Sequence, residues 1–402
     1  MTNRKTIAVF FGGRSPEHDV SVVTALQVLS ALDSESYSAL PVYLATDGTW
    51  WTGDALRDRD TYLPSAEQFS ALTQVTLDMT ASRQPSLVAT SSTLFRKPKV
   101  FQFDVAIPAF HGLIGEDGQI QGTFETASIP YTGMRTLASA VLMDKVATKR
   151  ILAGTPVAQL DYREIKRPAE GLIVTESELA DIVGELAGPW CVKPSHLGSS
   201  IGVARAETLS ELGDVLPSIF RFDTAAILEP FVENMVEYNV AVSRAAGALQ
   251  TSAIERPKRS SELLDFKEKY LSGGGKKSTG KSPGQPSEGM LSLTRELNPK
   301  IPSRLEDDVR RWAEIAFTLV DGTGAPRVDF IGNEVTGEIW LNEVNPCPGS
   351  FGYFLWEALP DGALLFSELL DALIQEAVEE QARRTLPRDP TPSDARLFSR
   401  RG

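Results

Sequence analysis

Pro326-Arg327-Val328-Asp329-Phe330 and, a few residues on, Leu341-Asn342-Glu343-Val344-Asn345-Pro346 are two strand-like runs in which polar residues alternate with apolar ones. Side chains two apart on a strand share a face. Arg327 and Asp329 therefore point one way together, and so do Glu343 and Asn345. If the two strands are neighbours, Asp329, Glu343 and Asn345 form an all-oxygen cluster. Mg²⁺ takes such a set when it also holds phosphates. The rest of the chain reads as the apparatus that brings a nucleotide and an acid to that cluster.

A chain of 402 residues exceeds one ordinary core and suggests two or three domains. Hydrophobic residues make up 42% and charged residues 23%, near globular averages. The formal charge of −13 argues against a general nucleic-acid binder, which needs clustered Lys and Arg for phosphate contacts. Two cysteines, Cys191 and Cys347, make no disulfide framework and fit a reducing, cytoplasmic setting. Ile7 to Phe11 is too short for a signal segment, and no apolar run reaches membrane-spanning length.

Ile7 to Phe11 is a buried-strand pattern, followed by a Gly12-Gly13 turn and a helix start at Ser15-Pro16-Glu17-His18-Asp19. With a second strand at Ala39 to Leu44 this is a βαβ opening, and the glycine turn is a ligand-facing place. Glu17 and Asp19 read equally well as plain complements to the helix dipole. Residues 53–100 read as surface elaboration. Phe101 to Phe110 is expected to be one strand, delivering His111 to the glycine-rich loop 112–122; there His111 is either structural or a site residue. Ala138 to Leu152 reads as one helix, with Lys145 and Lys149 on it. Lys193 sits on a short strand before Gly198-Ser199-Ser200, whose small residues suit a cover over nucleotide phosphates. The linker between Glu229 and Glu237 is a natural adenine slot or a plain hinge. Residues 255–290 differ in composition: Leu271 to Glu288, rich in Gly, Ser, Lys and Pro, cannot build a core and read as a long loop, a functional lid or a disordered segment. Leu305 to Leu319 is an amphipathic helix, and a last helix is expected over Asp361 to Arg383 with Asp361 as its cap.

Taken in order, Phe-Gly-Gly-Arg-Ser-Pro-Glu-His-Asp-Val-Ser, His-Gly-x-x-Gly-Glu-Asp-Gly-x-x-Gln-Gly, Pro-Tyr-Thr-Gly, Met-Asp-Lys, Lys-Pro-x-x-x-Gly-Ser-Ser-x-Gly, Asp-Phe-x-x-Lys-Tyr, Arg-Val-Asp-Phe and Asn-Glu-Val-Asn-Pro resemble an ATP-grasp ligase of the D-alanine–D-alanine ligase family. The resemblance runs from about residue 7 to about 360. It implies an α/β fold in three domains: an N-terminal α/β domain (1–132), a small central subdomain (133–228) and a C-terminal subdomain (229–385). ATP would lie between the last two, under a lid loop over 260–290, with a tail over 386–402. It implies ATP and two Mg²⁺ ions (Mn²⁺ in their place being an option) as cofactors. Small-molecule amino acids would be the substrates, with no nucleic-acid or membrane partner and a homodimer by analogy.

By the same resemblance Lys145, Lys193 and Lys269 meet ATP with Ser199 and Ser200, and Glu229 and Glu237 lie around adenine and ribose. Asp329, Glu343 and Asn345 hold the metals. Arg327 and the Gly349 amide stabilise an oxyanion, while Ser199 and Tyr270 pair with a first-loop acid to close the lid. The implied reaction passes through an acyl phosphate, and the resemblance leaves the pathway open between cell-wall (peptidoglycan) synthesis and specialised metabolism. Three departures concern substrate. The first-loop acid that would bind the donor's ammonium is read as Asp19, one methylene shorter than the family's usual glutamate. After Gly349 the chain has Ser350-Phe351-Gly352-Tyr353-Phe354-Leu355, so Phe354 stands where a serine would hold the acceptor's carboxylate. The lid is also longer and more basic than usual. The expectation is a carboxylate–amine ligase with an altered acceptor site, in which His111, Tyr353, Phe354 and Leu355 contact substrate. The rival readings are a true D-alanine–D-alanine ligase of peptidoglycan synthesis and a non-catalytic ATP-binding protein.

Overall fold

The structure, a computed structural model, describes residues 4–62, 69–81, 83–91, 97–198, 202–258 and 295–384, together with residues 386, 391, 395 and 396. The expected lid over 260–290 lies outside the described residues, as do Ser199, Ser200, Lys269 and Tyr270.

Three sheets organise the chain. The first contains β1 (Lys5–Gly12), β2 (Tyr37–Leu44), β3 (Trp50–Thr52), β4 (Thr73–Leu77), β5 (Ser86–Ala89), β6 (Val100–Gln102) and β7 (Val105–Pro108), in the order β6-β5-β4-β3-β2-β1-β7. β1 is parallel to both β2 and β7, and α1 (His18–Ala31) makes the crossover. Two expectations fail here. The 53–100 stretch is not mere elaboration, because β4 and β5 extend this sheet, each antiparallel to its neighbour. Phe101 to Phe110 is not one strand either: β6 and β7 lie at opposite edges, and Phe103, 1% exposed, plugs the core between them.

The second sheet has β8 (Arg163–Lys166), β9 (Trp190–Pro194), β10 (Ala204–Ala206) and β11 (Ala225–Pro230), ordered β10-β9-β11-β8. Between the first and second sheets run α2 (Gln119–Thr126), α3 (Thr136–Met143) and α4 (Lys145–Leu152). The single helix expected over 138–152 is in fact α3 and α4, broken at Asp144. Asp144 takes an extended backbone, and its carboxylate accepts from the Val146 and Ala147 amides, a side-chain cap that starts a new helix in register with Lys145. Within the second sheet's layer lie α5 (Glu176–Val183) and α6 (Leu209–Ile219).

The third sheet has β12 (Met235–Ser243), β13 (Gln250–Pro257), β14 (Arg295–Leu297), β15 (Arg327–Asn333) and β16 (Ile339–Asn345), ordered β14-β13-β12-β15-β16 and antiparallel throughout. α7 (Ser303–Leu319) packs Val309, Trp312, Ala316 and Phe317 onto one face of it. Its other face is the polar one. After β16 come a short turn, α8 (Tyr353–Glu357) and α9 (Phe366–Arg384). α9 begins five residues later than expected, so Asp361 is not its cap. Trp356, Leu369 and Leu373 share one apolar cluster with Ile7, Val9 and Val28, so the chain's end seals the first sheet's core.

Candidate active site

The β15–β16 hairpin pairs as the alternation predicts: Asp329 lies opposite Glu343, and Arg327 opposite Asn345. Directly paired residues on antiparallel strands share a face, so the expected oxygen cluster forms. A bulge follows at once, since Phe330 pairs with Leu341 and leaves Asn342 over. A bulge inserts a residue and re-aims its side chain; the Asn342 Oδ1 accepts from the Lys193 ammonium at 2.6 Å.

Cations converge on these acids from the other layers. Lys145, the first residue of α4, places Nζ 3.0 Å from the Glu343 carboxylate and donates to the Leu197 carbonyl at 2.7 Å. Arg327 grips Asp329 with two parallel bonds, Nε and Nη2 each at 2.6 Å. Glu229 on β11, 2% exposed, is flanked by Lys149 and Lys193, each at 2.7 Å. Burial alone would raise the Glu229 carboxyl, but the two lysines outweigh it and hold it below its ordinary range. Lys193 goes the other way for the matching reason: burial works against its charge, yet Glu229 chiefly keeps its pKa raised. For Lys149 burial prevails and lowers it.

The cleft between the second and third sheets has a polar end and an apolar end. Lys145, Lys193, Glu229, Arg327, Asp329 and Glu343 line the first, while Leu160, Phe231, Val232, Met235 and Ile331 line the second, with Glu237 beside them. The Glu229-to-Glu237 linker thus lines the cleft. The donor chemistry fits a hard cation: two facing carboxylates and the Asn345 amide offer oxygen only. Among the described residues no group of three His, Cys, Asp or Glu is set to hold a metal by itself.

The first loop corrects the choice of acid. Asp19 is exposed on α1. Glu17, 5% exposed, is the buried acid, because it shares the helical phase of Ser21, Thr24 and Val28 whereas Asp19 shares that of exposed Val23. Glu17 lies where the two glycine loops meet. A Cβ on Gly112, whose φ is +70°, would come within 2.5 Å of its carboxylate, and one on Gly198 would lie 3.5 Å away. A second unforeseen acid, Glu116, accepts from the Gly112 amide at 2.6 Å and the Cys347 amide at 3.0 Å. Burial, then Glu17, lifts its pKa far above the usual carboxylate range.

His111 is 3% exposed and shares a 2.8 Å hydrogen bond with Thr24. Burial, with some help from Arg327, lowers its pKa to about 4, so it is neutral near pH 7. Thr24 also accepts from the Ser350 amide at 3.2 Å, and Ser350 donates its hydroxyl to Gln27. α1 therefore clamps the Gly349 turn, where Ser350 and Phe351 both hold left-handed conformations (φ 53° and 56°). Of the three residues after that turn, Leu355 is fully buried, its side chain packed in the core. Tyr353 is 8% exposed, its ring stacked on Phe366 at 4.7 Å. Phe354 remains half-buried, with the Arg295 guanidinium 4.2 Å over its ring. Glu116, Lys149, Asn342 and Arg295 were not singled out from sequence; only Glu17 had a legible signal, its helical phase.

Comparison with known proteins agrees with this layout. Residues 6–134 match the family model for the D-ala D-ala ligase N-terminus, and residues 151–375 match that for the C-terminus. A D-alanine–D-alanine ligase of Chlorobium luteolum is 32% identical over 389 residues, covering 94% of this chain and 98% of that one. One of Thermosipho africanus is 32% identical over 376 residues, 93% of each chain. Among solved structures, the VanG D-Ala:D-Ser ligase of Enterococcus faecalis superposes with a TM-score of 0.70 at 26% identity, covering 93% of this chain and 100% of that one. The D-alanine–D-alanine ligase of Coxiella burnetii gives 0.73 at 22% identity, over 95% and 96%, and supports the ATP-grasp fold. The chain belongs to the D-alanine–D-alanine ligase family, whose members are ATP-dependent, ADP-forming ligases.

Proposed function

We propose that the protein joins the carboxylate of one amino acid to the amine of a second through an acyl phosphate. The observation that carries this is the convergence of Lys145 on Glu343, Lys193 on Asn342 and Arg327 on Asp329 in a cleft that is also lined by apolar residues. The adenine would lie among Phe231, Val232 and Met235, its ribose near Glu237, and the phosphates would run to the lysines. Lys145 and Arg327 already neutralise the two carboxylates. The same acids, with Asn345, would hold two divalent ions. When bound, such ions draw charge from the phosphate oxygens and keep the transferred group in line.

In the first step the donor's carboxylate oxygen attacks the γ-phosphorus and ADP leaves. In the second, the acceptor's amine attacks the acyl carbon, loses a proton and expels phosphate. Arg327 lies beside the acids that set this geometry and can donate to the oxygen that becomes anionic, as can the Gly349 amide at the head of the turn. Glu17, placed between the Gly112 and Gly198 loops, is the acid for the donor's ammonium, and it replaces Asp19 in that role. With a glutamate there, the donor site needs no unusual geometry. The altered acceptor site is kept, because Phe354 offers no polar group. On this reading residues 1–132 and 133–228 form the first two domains and 229–385 the third.

The experiment is a panel of D- and L-amino acids with ATP and Mg²⁺, following ADP release and identifying products by mass spectrometry. ADP formation that needs two amino acids, with a dipeptide product, is expected. Release of ADP with no amino-acid dependence would sink the reading. A D-alanyl-D-alanine product formed with ordinary acceptor affinity would remove the altered acceptor and leave the chemistry standing.

A further inference from the structure

The polar face of the third sheet does not stop at the metal-binding acids. Across the strands, Glu343 pairs with Asp329, Asp329 with Asn239, Asn239 with Glu255, and Glu255 with Leu297 on the edge strand β14. Asn239 donates to Glu255 at 3.2 Å, so the middle of this row is joined by a side-chain hydrogen bond as well as by register. Arg295, two residues from Leu297 on β14, lies on the same face. It reaches back to Glu255, with Nη1 at 3.1 Å. The centre of its guanidinium lies over Phe354, 4.2 Å from the ring centroid. Asn298, which follows β14, donates to the Ala358 carbonyl at 2.8 Å and pins this edge to the end of α8.

Stacking on an aromatic ring uses a guanidinium's face and leaves its in-plane N–H groups for hydrogen bonds. Among the described residues the ion pair of Arg295 is with Glu255, through Nη1. The Arg295 Nε is buried and has no hydrogen-bond partner among the described residues, while 22% of the side chain remains accessible. A buried donor without an acceptor costs free energy unless something completes it. Glu255 stands two strand spacings from Asp329, roughly 10 Å. That is the scale of an amino acid lying between a reacting acyl group and a charge reader.

We infer that Arg295, seated on Phe354, is the specificity-determining residue that binds an anionic group of the acceptor, a carboxylate in the first instance. The inference rests on the ligase reading above. Phe354 then holds the plane of the guanidinium, and the polar recognition that the turn itself lacks comes from the far edge of the sheet.

The test compares kcat/KM for an amino-acid acceptor with that for its carboxamide, in the full-length protein and in Arg295→Gln and Arg295→Lys. Wild type should prefer the acid. Losing a charge-assisted bond should shrink that preference roughly 10- to 100-fold in Arg295→Gln. Arg295→Lys, which keeps the charge but not the planar fork, should fall between. An unchanged preference in both variants, even with lower activity, overturns the inference, as does a wild type that uses acid and amide alike. Trapping the donor's acyl phosphate with hydroxylamine in wild type separates the two levels. No hydroxamate with any donor defeats the ligase reading, whereas hydroxamate without acid preference defeats only the role of Arg295.

Discussion

The β15–β16 hairpin and the turn that follows it, from Gly349 to Glu357, are adjacent in sequence and opposite in construction. In the hairpin, polar side chains are brought together by backbone register: Asp329 meets Glu343 because their strands pair at that position. In the turn, no ladder fixes the backbone. Ser350 and Phe351 sit in left-handed conformations that cost non-glycine residues free energy, and contacts from Thr24, Gln27 and the core keep them there. Chemistry that must not vary is thus mounted on a repeating scaffold. The turn, held by side chains from another layer, contributes Phe354 beneath the Arg295 guanidinium.

The comparison breaks most sharply at Glu343. Glu343→Ala should leave the fold intact and lower ADP formation by at least about 10²–10³-fold, the scale of losing one preorganised charge partner. Steady-state kinetics beside a far-ultraviolet spectrum would check it, and retained turnover would mean the hairpin is not the site. Trp356 should show the reverse. It is fully buried in α8, in the cluster shared with the first sheet. Trp356→Ala should therefore cost about 3–5 kcal/mol in denaturant unfolding, since it empties a core position.

The smallest effect is expected at the joint between the two regions. Glu116 holds the Cys347 amide, just past the hairpin, and burial raises its pKa. An acid whose folded pKa lies above its unfolded value, near 4.5, makes no such penalty below that pH. It destabilises the fold progressively as pH climbs from there toward its raised pKa. Glu116→Gln, which mimics the protonated acid, should flatten that decline; thermal unfolding of both proteins from pH 4.5 to 8.5 would show the curves converging at low pH. Parallel curves would mean that Glu116 ionises normally.

How far sequence could go follows from the same contrast. Strand alternation is a local property, so the oxygen cluster could be read from Arg327 to Asn345 before any pairing was known. The order of motifs likewise carried the fold and pointed to Lys145 and Lys193, which line the cleft. Helical phase could have distinguished Glu17 from Asp19, since Val20, Thr24 and Val28 mark the buried side, but the acids were read without it. The burial of Leu355 and the stacking of Tyr353 on Phe366 are not legible in the sequence for another reason. Whether a residue in a short irregular turn faces a substrate or a core depends on α9, which closes over it from beyond residue 366. Arg295 and Glu116 act across gaps in sequence that no periodicity spans.

The break at Asp144 has a mechanical consequence. Its carboxylate caps α4 and also faces His196 at 3.5 Å, while His196 binds Asp223 at 2.7 Å. The Lys145 amide donates to the Ser195 carbonyl at 3.0 Å. Asp144 and Asp223 together push the His196 pKa up to about 10, so this linkage is fully charged below the ordinary histidine range and dissolves only as pH rises toward 10. Lys145 comes from a helix and Lys193 from a sheet, yet these bonds tie the start of α4 to the residues that follow β9. A displacement of the second sheet that keeps them intact carries both ammonium groups together, so their spacing is set by this linkage and not by two separate elements.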